Sequence, residues 1–316
     1  MTAPQPPSRY AIKSRRVLLP QGVVEAALLV DAGTIVRATQ DAAGDAPLID
    51  AGDALIAPGV VDAHVHINEP GRTDWEGFAT ATAAAAAGGV TTLIDMPLNS
   101  SPVTTSHSAL AHKRDATRGK LRVDVAFYGG LVAGSADAAA ELAGEGVAGI
   151  KAFLCDSGLD EFPAAGEDDL RAVGAKLAEL GTPLLVHAEL PGPSTLPPLT
   201  PSRRYADYLA SRPPGWESAA IEMVIRVCRD TGCPVHIVHL ANSDALPAIN
   251  AAKQEGLPIT VETCPHYLHF AADDVPDGAT LMKCAPPIRE GRHREALWQA
   301  VTAGQIDTIG SDHSPC

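Results

Sequence analysis

Two textures of hydrophobic and polar positions divide the chain. Between residues 10 and 56, short apolar runs such as RVLLP, AALLV and TIVRA are broken by Gly, Asp and similar turn-forming residues, which predicts the strands of a small β domain over residues 1–56. From Leu55 onward the apolar runs are short and branched and alternate with longer alanine-rich stretches, a βα order that predicts a parallel sheet over residues 57–316. The candidate strands are LIAPGVVDAHVH, VTTLIDM, RVDVAFYGG, GVAGIKAFL, PLLVHAE, CPVHIVHL, PITVETC and IDTIGSD, and each but the last is followed by enough chain for a helix. Periodicity does not separate closed from open sheets, so the count of eight favours an α/β TIM barrel, (β/α)8, over a doubly wound sheet. The first barrel helix is expected to begin at Thr73 or Asp74, with Glu76 in its first turn, and to stop at Gly88-Gly89. Residues 188–215, with PGPSTLPPLTP and SRPPG, form a longer connection than a compact domain carries without cause and are expected to shape a site entrance. Residues 1–8 are polar and proline-rich and are expected to fray.

Charge and cysteine usage narrow the classes of function. A formal net charge of -14 repels a phosphate backbone or an anionic bilayer, so neither nucleic acid nor membrane is expected as a partner. The longest small-residue stretch, ATATAAAAAGG, falls short of the roughly 20 apolar residues that cross a bilayer and suits a closely packed helix. Six cysteines are scattered without C-x-x-C spacing, and MTAPQPPSRY lacks the apolar core of a signal peptide, which predicts a reduced, cytoplasmic protein.

Barrel sites collect at the C-terminal ends of strands, and there the polar residues of this chain recur. The first strand closes on Asp62-Ala63-His64-Val65-His66, where a period of two turns both imidazoles to one side, within reach of one metal ion. Alternate histidines on a strand also occur as half-buried polar residues, so the pair alone decides nothing. The fifth strand closes on His187, the sixth on His239 and the eighth on Asp312, adding two neutral nitrogens and a carboxylate at matching heights. The fourth strand holds Lys151 among apolar residues, where burial lowers the pKa of an amine. A neutral amine can take up carbon dioxide as a carbamate able to bridge two cations; the other reading is a snorkelling or ion-paired lysine. His236, His266 and His313 are placed outside this set in supporting roles, and Cys155 as a packed thiol.

The stretches PGVVDAHVHINEPGR, GGVTTLIDMPLN, GIKAF, LLVHAE, HIVHL, ETCPHYL, KCAPPIR and SDHSPC, in that order over nearly the whole chain, resemble the cyclic-amidohydrolase branch of the amidohydrolase superfamily, which includes allantoinases, hydantoinases, dihydropyrimidinases and dihydroorotases. The resemblance implies a distorted TIM barrel with a small β-sandwich, part of which residues 1–56 would form. It also implies a centre of two divalent metal ions, zinc by default with cobalt, manganese or iron as alternatives, in which His64 and His66 hold one ion, His187 and His239 the other, Lys151 carboxylated by carbon dioxide bridges them, and Asp312 serves as ligand and proton carrier beside the attacking water. It implies a homotetramer at full length. The chain ends at Cys316, directly after the eighth strand, so the last barrel helix and remaining sandwich strands are expected to be missing, leaving apolar surface on strands one and eight and a fragment that folds poorly alone.

The motifs discriminate between rings. Dihydroorotases hold a substrate carboxylate with H-x-H-x-R, M-P-N and D-x-A-P-H, whereas here Asn68, Leu98 and Cys316 occupy the discriminating positions, and Arg72 stands in a different register. Hydantoinases and dihydropyrimidinases place a Tyr five residues after the lysine, and here that residue is Asp156. HINEPGRTDWEGF, FLCDSGLDEFP and DYLASRP resemble allantoinases best, so the expected small-molecule partner is allantoin, opened to allantoate, with Asn99, Asp156 and the backbone around Cys284 and Ala285 as candidate contacts. After hydantoinase and dihydroorotase, the remaining alternative is a non-catalytic scaffold related to dihydropyrimidinase, against which the complete set of candidate ligands argues.

Overall fold

The computed structural model describes residues 7–40, 44–192 and 202–315, in two compact units, Met1–Val60 and Val61–Cys316. The first unit is one sheet of β1 (Arg9–Leu19), β2 (Gly22–Asp31), β3 (Thr34–Thr39), β4 (Leu48–Asp50) and β5 (Leu55–Ile56). Its order is β3-β2-β1-β4, with β5 beside the far end of β1. The β2–β3 turn has positive φ at both Ala32 (47°) and Gly33 (80°), the twist that suits a two-residue hairpin. The segment read as a single first barrel strand is therefore two: Leu55–Ile56 belongs to this sheet, and the Ala57-Pro58-Gly59 break precedes the barrel strand. Residues 1–6, most of the stretch expected to fray, lie outside the described residues.

The second unit alternates strands and helices in chain order: β6 (Val60–Val65), α1 (Phe78–Ala87), β7 (Val90–Asp95), α2 (His107–Ala116), β8 (Asp124–Phe127), β9 (Gly129–Leu131), α3 (Ala136–Gly144), β10 (Ile150–Phe153), α4 (Glu167–Leu180), β11 (Leu184–His187), α5 (Tyr205–Ser211), α6 (Pro214–Thr231), β12 (Val235–Ile237), α7 (Leu246–Gln254), β13 (Ile259–Thr263), α8 (Pro265–His269), α9 (Gly291–Thr302) and β14 (Thr308–Ile309). Parallel pairing runs β6-β7-β8 in one sheet and β9 through β14 in another. Strands β8 and β9 are one stretch interrupted at Tyr128, which carries the chain from the first sheet to the second. The ring closes where Val65 bridges His313 in parallel and the His66 N–H donates to the His313 carbonyl at 2.8 Å. Counting β8 and β9 together, the eight predicted strands form one TIM barrel.

Strand periodicity sets which side chains meet at the centre. On β10, β11 and β12 the residues Ile150, Ala152, Leu184, Val186, Val235 and Ile237 pack in the apolar cluster shared with the helices. The alternate positions, among them Lys151, Phe153, Leu185 and His187, belong to the opposite, interior face. Val60 and Val61 of β6 and Ile309 of β14 are exposed.

The first helix starts later than its acidic residues predict. Gly77 is its N-cap, and the buried Glu69 carboxylate, from just beyond β6, accepts the Phe78 N–H at 2.9 Å. Residues 73–77 precede the helix, and Glu76 meets His313 Nε2 at 2.8 Å. A carboxylate distant in sequence has taken the N-terminal role that the local pattern assigned to the first turn. The predicted stop is observed, with Gly88 as C-cap and Gly89 at φ 83°. Part of the long connection, residues 193–201, lies outside the described residues; the rest carries α5 and reaches Arg212.

Candidate functional site

The polar residues expected at the strand ends meet around one point. His64 Nε2 lies 3.1 Å and His66 Nε2 3.3 Å from Asp312 Oδ1. Ligand-type atoms of His64, His239 and Asp312 fall within 4.8 Å of one another. The His239 ring stands 5.4 Å from that of His64 and 4.6 Å from that of His187, centroid to centroid. Lys151 completes the group, with its ammonium nitrogen 5.3 Å from the centre of the Phe153 ring that stacks on His187. His64, His66, Lys151, His187 and His239 are buried, and only Asp312 is partly accessible.

The outer nitrogens of the imidazoles are already committed. His64 Nδ1 lies 2.6 Å from Glu262 Oε1, His66 Nδ1 2.6 Å from the Leu98 carbonyl, and His187 Nε2 2.8 Å from Glu189 Oε2. Each of these oxygens only accepts when the carboxylates are ionised, so each ring donates through that nitrogen and leaves the other one for the site, as imidazoles that hold metal do. His239 Nδ1 and Lys151 Nζ are buried without a hydrogen-bond partner, and the buried His64 Nε2 has the Asp312 carboxylate beside it at 3.1 Å. Unsatisfied buried polar atoms are costly, and their presence within this group fits a site built for cations.

Electrostatics agree with that fit. Burial pushes the Lys151 pKa down to about 8, which favours the neutral amine. Burial holds His187 below its ordinary value and His239 well below it, so both are neutral and ligand-ready. For His64 burial again opposes charge, but the Asp312 and Glu262 carboxylates outweigh it and raise its pKa to about 9. In metal-free protein a proton is the cation drawn to this point. Asp312, although burial works against its charge, is held well below the usual carboxylate range by His64, His66 and His239.

Two of the clustered residues have unusual backbones. His239 has φ 40° and Asp312 φ 51°, left-handed conformations that strain a non-glycine residue by about 1–3 kcal/mol each. Both follow the regular ends of their strands, and the left-handed step is part of how side chains beyond β12 and β14 return to the axis.

A cavity of about 710 Å³ opens over the group. The predicted contacts Asn99, Asp156, Cys284 and Ala285 all line it. The Asn99 Nδ2 donates to Ser314 Oγ at 3.2 Å, and Asp156 Oδ1 accepts the Gly158 N–H at 2.9 Å. Arg72 donates to the Asn99 carbonyl at 3.1 Å and lies over Trp75. His266 also faces the cavity, with a buried Nε2 that has no partner. His236 sits behind Glu262, 3.9 Å from Oε2, and His313 lies at the surface against Glu76. The Cys155 thiol is buried and its pKa is pushed up to about 11 by that burial, the mark of a packing residue.

Sequence reasoning missed Glu262, Glu189 and Arg212. The seventh strand contributed no residue to the predicted set, yet its penultimate position, Glu262, supports His64; a carboxylate in a buried strand was the available signal. Glu189 follows His187 at the same strand parity. Arg212 lies in the long connection, where no periodicity marks it. Its Nη2 is 2.5 Å from Glu189 Oε2 and its Nε 3.0 Å from Oε1, while the guanidinium also lines the cavity. Arg212→Met would leave the fully buried Glu189 with only His187 to balance it, and a loss of about 3–5 kcal/mol in stability is expected from breaking a buried pair, read by urea unfolding at pH 7. Gly310, between the end of β14 and Asp312, has no room for a side chain. A Cβ there would overlap the Glu262 carboxylate and stand 2.8 Å from the His64 Cβ. Gly310→Ala is therefore expected to cost about 1–3 kcal/mol, seen as a lowered thermal midpoint.

An eight-stranded barrel whose C-terminal mouth gathers four histidines, a lysine and an aspartate under a cavity is the arrangement of a metal-dependent hydrolase. Residues 55–196 match the Amidohydrolase family. The chain is 48% identical over 307 residues to the allantoinase of Streptomyces avermitilis, covering 96% of this chain and 69% of that one. To the allantoinase of Arabidopsis thaliana it is 42% identical over 329 residues, covering 98% of this chain and 65% of that one. Among solved structures, the L-hydantoinase (dihydropyrimidinase) of Arthrobacter aurescens superposes with a TM-score of 0.87 at 31% identity, covering 96% of this chain and 69% of that one. The chain belongs to the amidohydrolase family, on its allantoinase branch. It spans about two thirds of the length of these curated relatives. Among the described residues, no helix is long and apolar enough to cross a membrane.

Proposed function

We propose that this protein hydrolyses allantoin to allantoate, adding water across a ring amide C–N bond. The observation that carries the reading is the convergence of His64, His66, Lys151, His187, His239 and Asp312, with buried nitrogens of His239 and Lys151 lacking any hydrogen-bond partner, beside a cavity lined by polar groups. Two divalent ions, zinc by default, held by His64 and His66 on one side and His187 and His239 on the other with carboxylated Lys151 between, would supply Lewis acidity and an acidic water at neutral pH.

The chain's own residues do the rest. The low pKa of Asp312 keeps it ionised and able to take the proton of the attacking water and pass it to the leaving ring nitrogen. Glu262, the Leu98 carbonyl and Glu189 each engage one nitrogen of an imidazole, which orients the three rings and leaves the other nitrogen of each for the site. Lys151, buried and with its pKa lowered to about 8, holds a larger fraction of the neutral amine, the form that reacts with carbon dioxide, than an ordinary lysine does. Asn99, Asp156, Ser314 and the backbone at Cys284 and Ala285 offer donors and acceptors to a neutral ring and its ureido tail. Arg72, spent on the Asn99 carbonyl and Trp75, is not among the cavity-lining residues, while of the cations that do line the cavity Arg212 is paired with Glu189 and Lys283 lies over the Tyr208 ring. The free thiols at Cys155, Cys228, Cys233, Cys264 and Cys284 suit a cytoplasmic setting, and we infer a homotetramer for the full-length protein.

The test is ring opening of allantoin, hydantoin, dihydrouracil and dihydroorotate side by side by full-length protein loaded with divalent metal and bicarbonate, with metal content measured on the same sample. Selective allantoin turnover with two ions per chain is expected. Preferred turnover of hydantoin or dihydrouracil would overturn the substrate reading, and metal binding without turnover of any ring would overturn the enzymatic one.

A further inference from the structure

The geometry points to Glu262 as a positioning residue that ties the two halves of the metal centre together, so that its loss loosens both ions at once. This rests on the two-ion reading above. Glu262 is the penultimate residue of β13 and is almost wholly buried. One of its oxygens, Oε1, serves two residues on different strands. It takes the His64 Nδ1–H at 2.6 Å, and it accepts the backbone N–H of His239 at 3.2 Å.

These contacts act on different features of the two residues. For His64 the carboxylate fixes the ring: because an ionised carboxylate only accepts, Nδ1 carries a proton, and Nε2 is the nitrogen left to hold an ion. For His239 it fixes the backbone. That residue has φ 40°, a conformation that persists only where its surroundings over-determine it, and the bond from its own N–H to Glu262 is such a constraint. His64 and His239 belong to opposite ions in the proposed centre, so one oxygen orients a ligand of each.

The carboxylate is itself pinned. His236 stands 3.9 Å from Oε2, and the absence of a side chain at Gly310 leaves the space that Oε2 fills. Glu189 offers a contrast, because its imidazole contact is to His187 alone, on one side of the centre.

Zinc affinities of the full-length protein, resolved into two dissociation constants by chelator competition, test this, with circular dichroism of the metal-free protein as the check on folding. Glu262→Gln is expected to weaken both constants by about 10–100-fold while the fold is retained. Glu189→Gln is expected to weaken one constant more than the other. Should the Gln variant fail to fold, Glu262→Asp keeps the charge and shortens the arm by one methylene, and the same joint weakening is expected. A purely structural Glu262 would lower the thermal midpoint and leave both constants unchanged, which overturns the inference, as does the loss of one ion alone. Wild-type protein that loads fewer than two ions overturns the two-ion reading, and this coupling with it.

Discussion

Asp312→Asn is expected to reduce kcat for ring opening by about 10²–10⁴-fold, the range for removing a general acid–base group. The carboxamide keeps the shape of the side chain and loses two properties together, the charge facing His64 and His66 and the capacity to accept a proton. Asp312 Oδ1 is 3.1 Å and 3.3 Å from their Nε2 atoms, so the substitution also removes a candidate ligand. The backbone should not object, since Asn tolerates the left-handed region about as well as Asp. Steady-state kinetics with metal content and a thermal melt on the same sample separate these effects. A variant that keeps its ions and more than a tenth of wild-type kcat would remove Asp312 from the proton path.

Lys151→Met is expected to abolish turnover and, in metal-free protein without bicarbonate, to raise stability. The amine is fully buried with no partner, and an apolar side chain of similar length removes a desolvation cost of about 1–3 kcal/mol. The pH dependence supplies a signature. The folded pKa is lowered to about 8 from an ordinary 10.5. Between those values the unfolded chain binds a proton that the folded amine has released, so this residue's contribution makes stability rise with pH across the window, and the cost is fully present below pH 8. The Met variant lacks that rise. Urea unfolding at pH 7 and pH 9.5 reads it as a smaller stability gap between variant and wild type at the higher pH. A variant less stable than wild type at pH 7 would contradict the account of Lys151 as a strained amine.

The sequence carried the barrel because its signal is repetition: eight branched runs separated by helix-length segments leave few alternatives, and strand parity then places Lys151 and His187 on the inner face. His64, His66 and Asp312 were legible for the same reason, as polar residues closing apolar runs. What escaped depends on contacts between distant strands. Glu69 caps the first helix from nine residues upstream of Phe78, so local capping rules put the start at Thr73 or Asp74. Glu262 reaches His64 across 198 positions of sequence, and no spacing rule encodes that distance. The first strand was read as continuous because its apolar pattern carries on through Ala57-Pro58-Gly59, where only the pairing of Leu55 and Ile56 with β1 reveals the division.

The left-handed backbones at His239 and Asp312 bear on how this protein responds to directed evolution. At about 1–3 kcal/mol each, the two conformations withhold an appreciable part of the 5–15 kcal/mol that keeps a typical domain folded. Glycine at either position relieves that cost without moving the chain and deletes a side chain the chemistry needs. A screen that scores heat resistance alone would therefore be drawn to these two codons early and return robust, inactive proteins. Selection for thermal tolerance has to be paired with turnover from the first round, or hold residues 239 and 312 fixed.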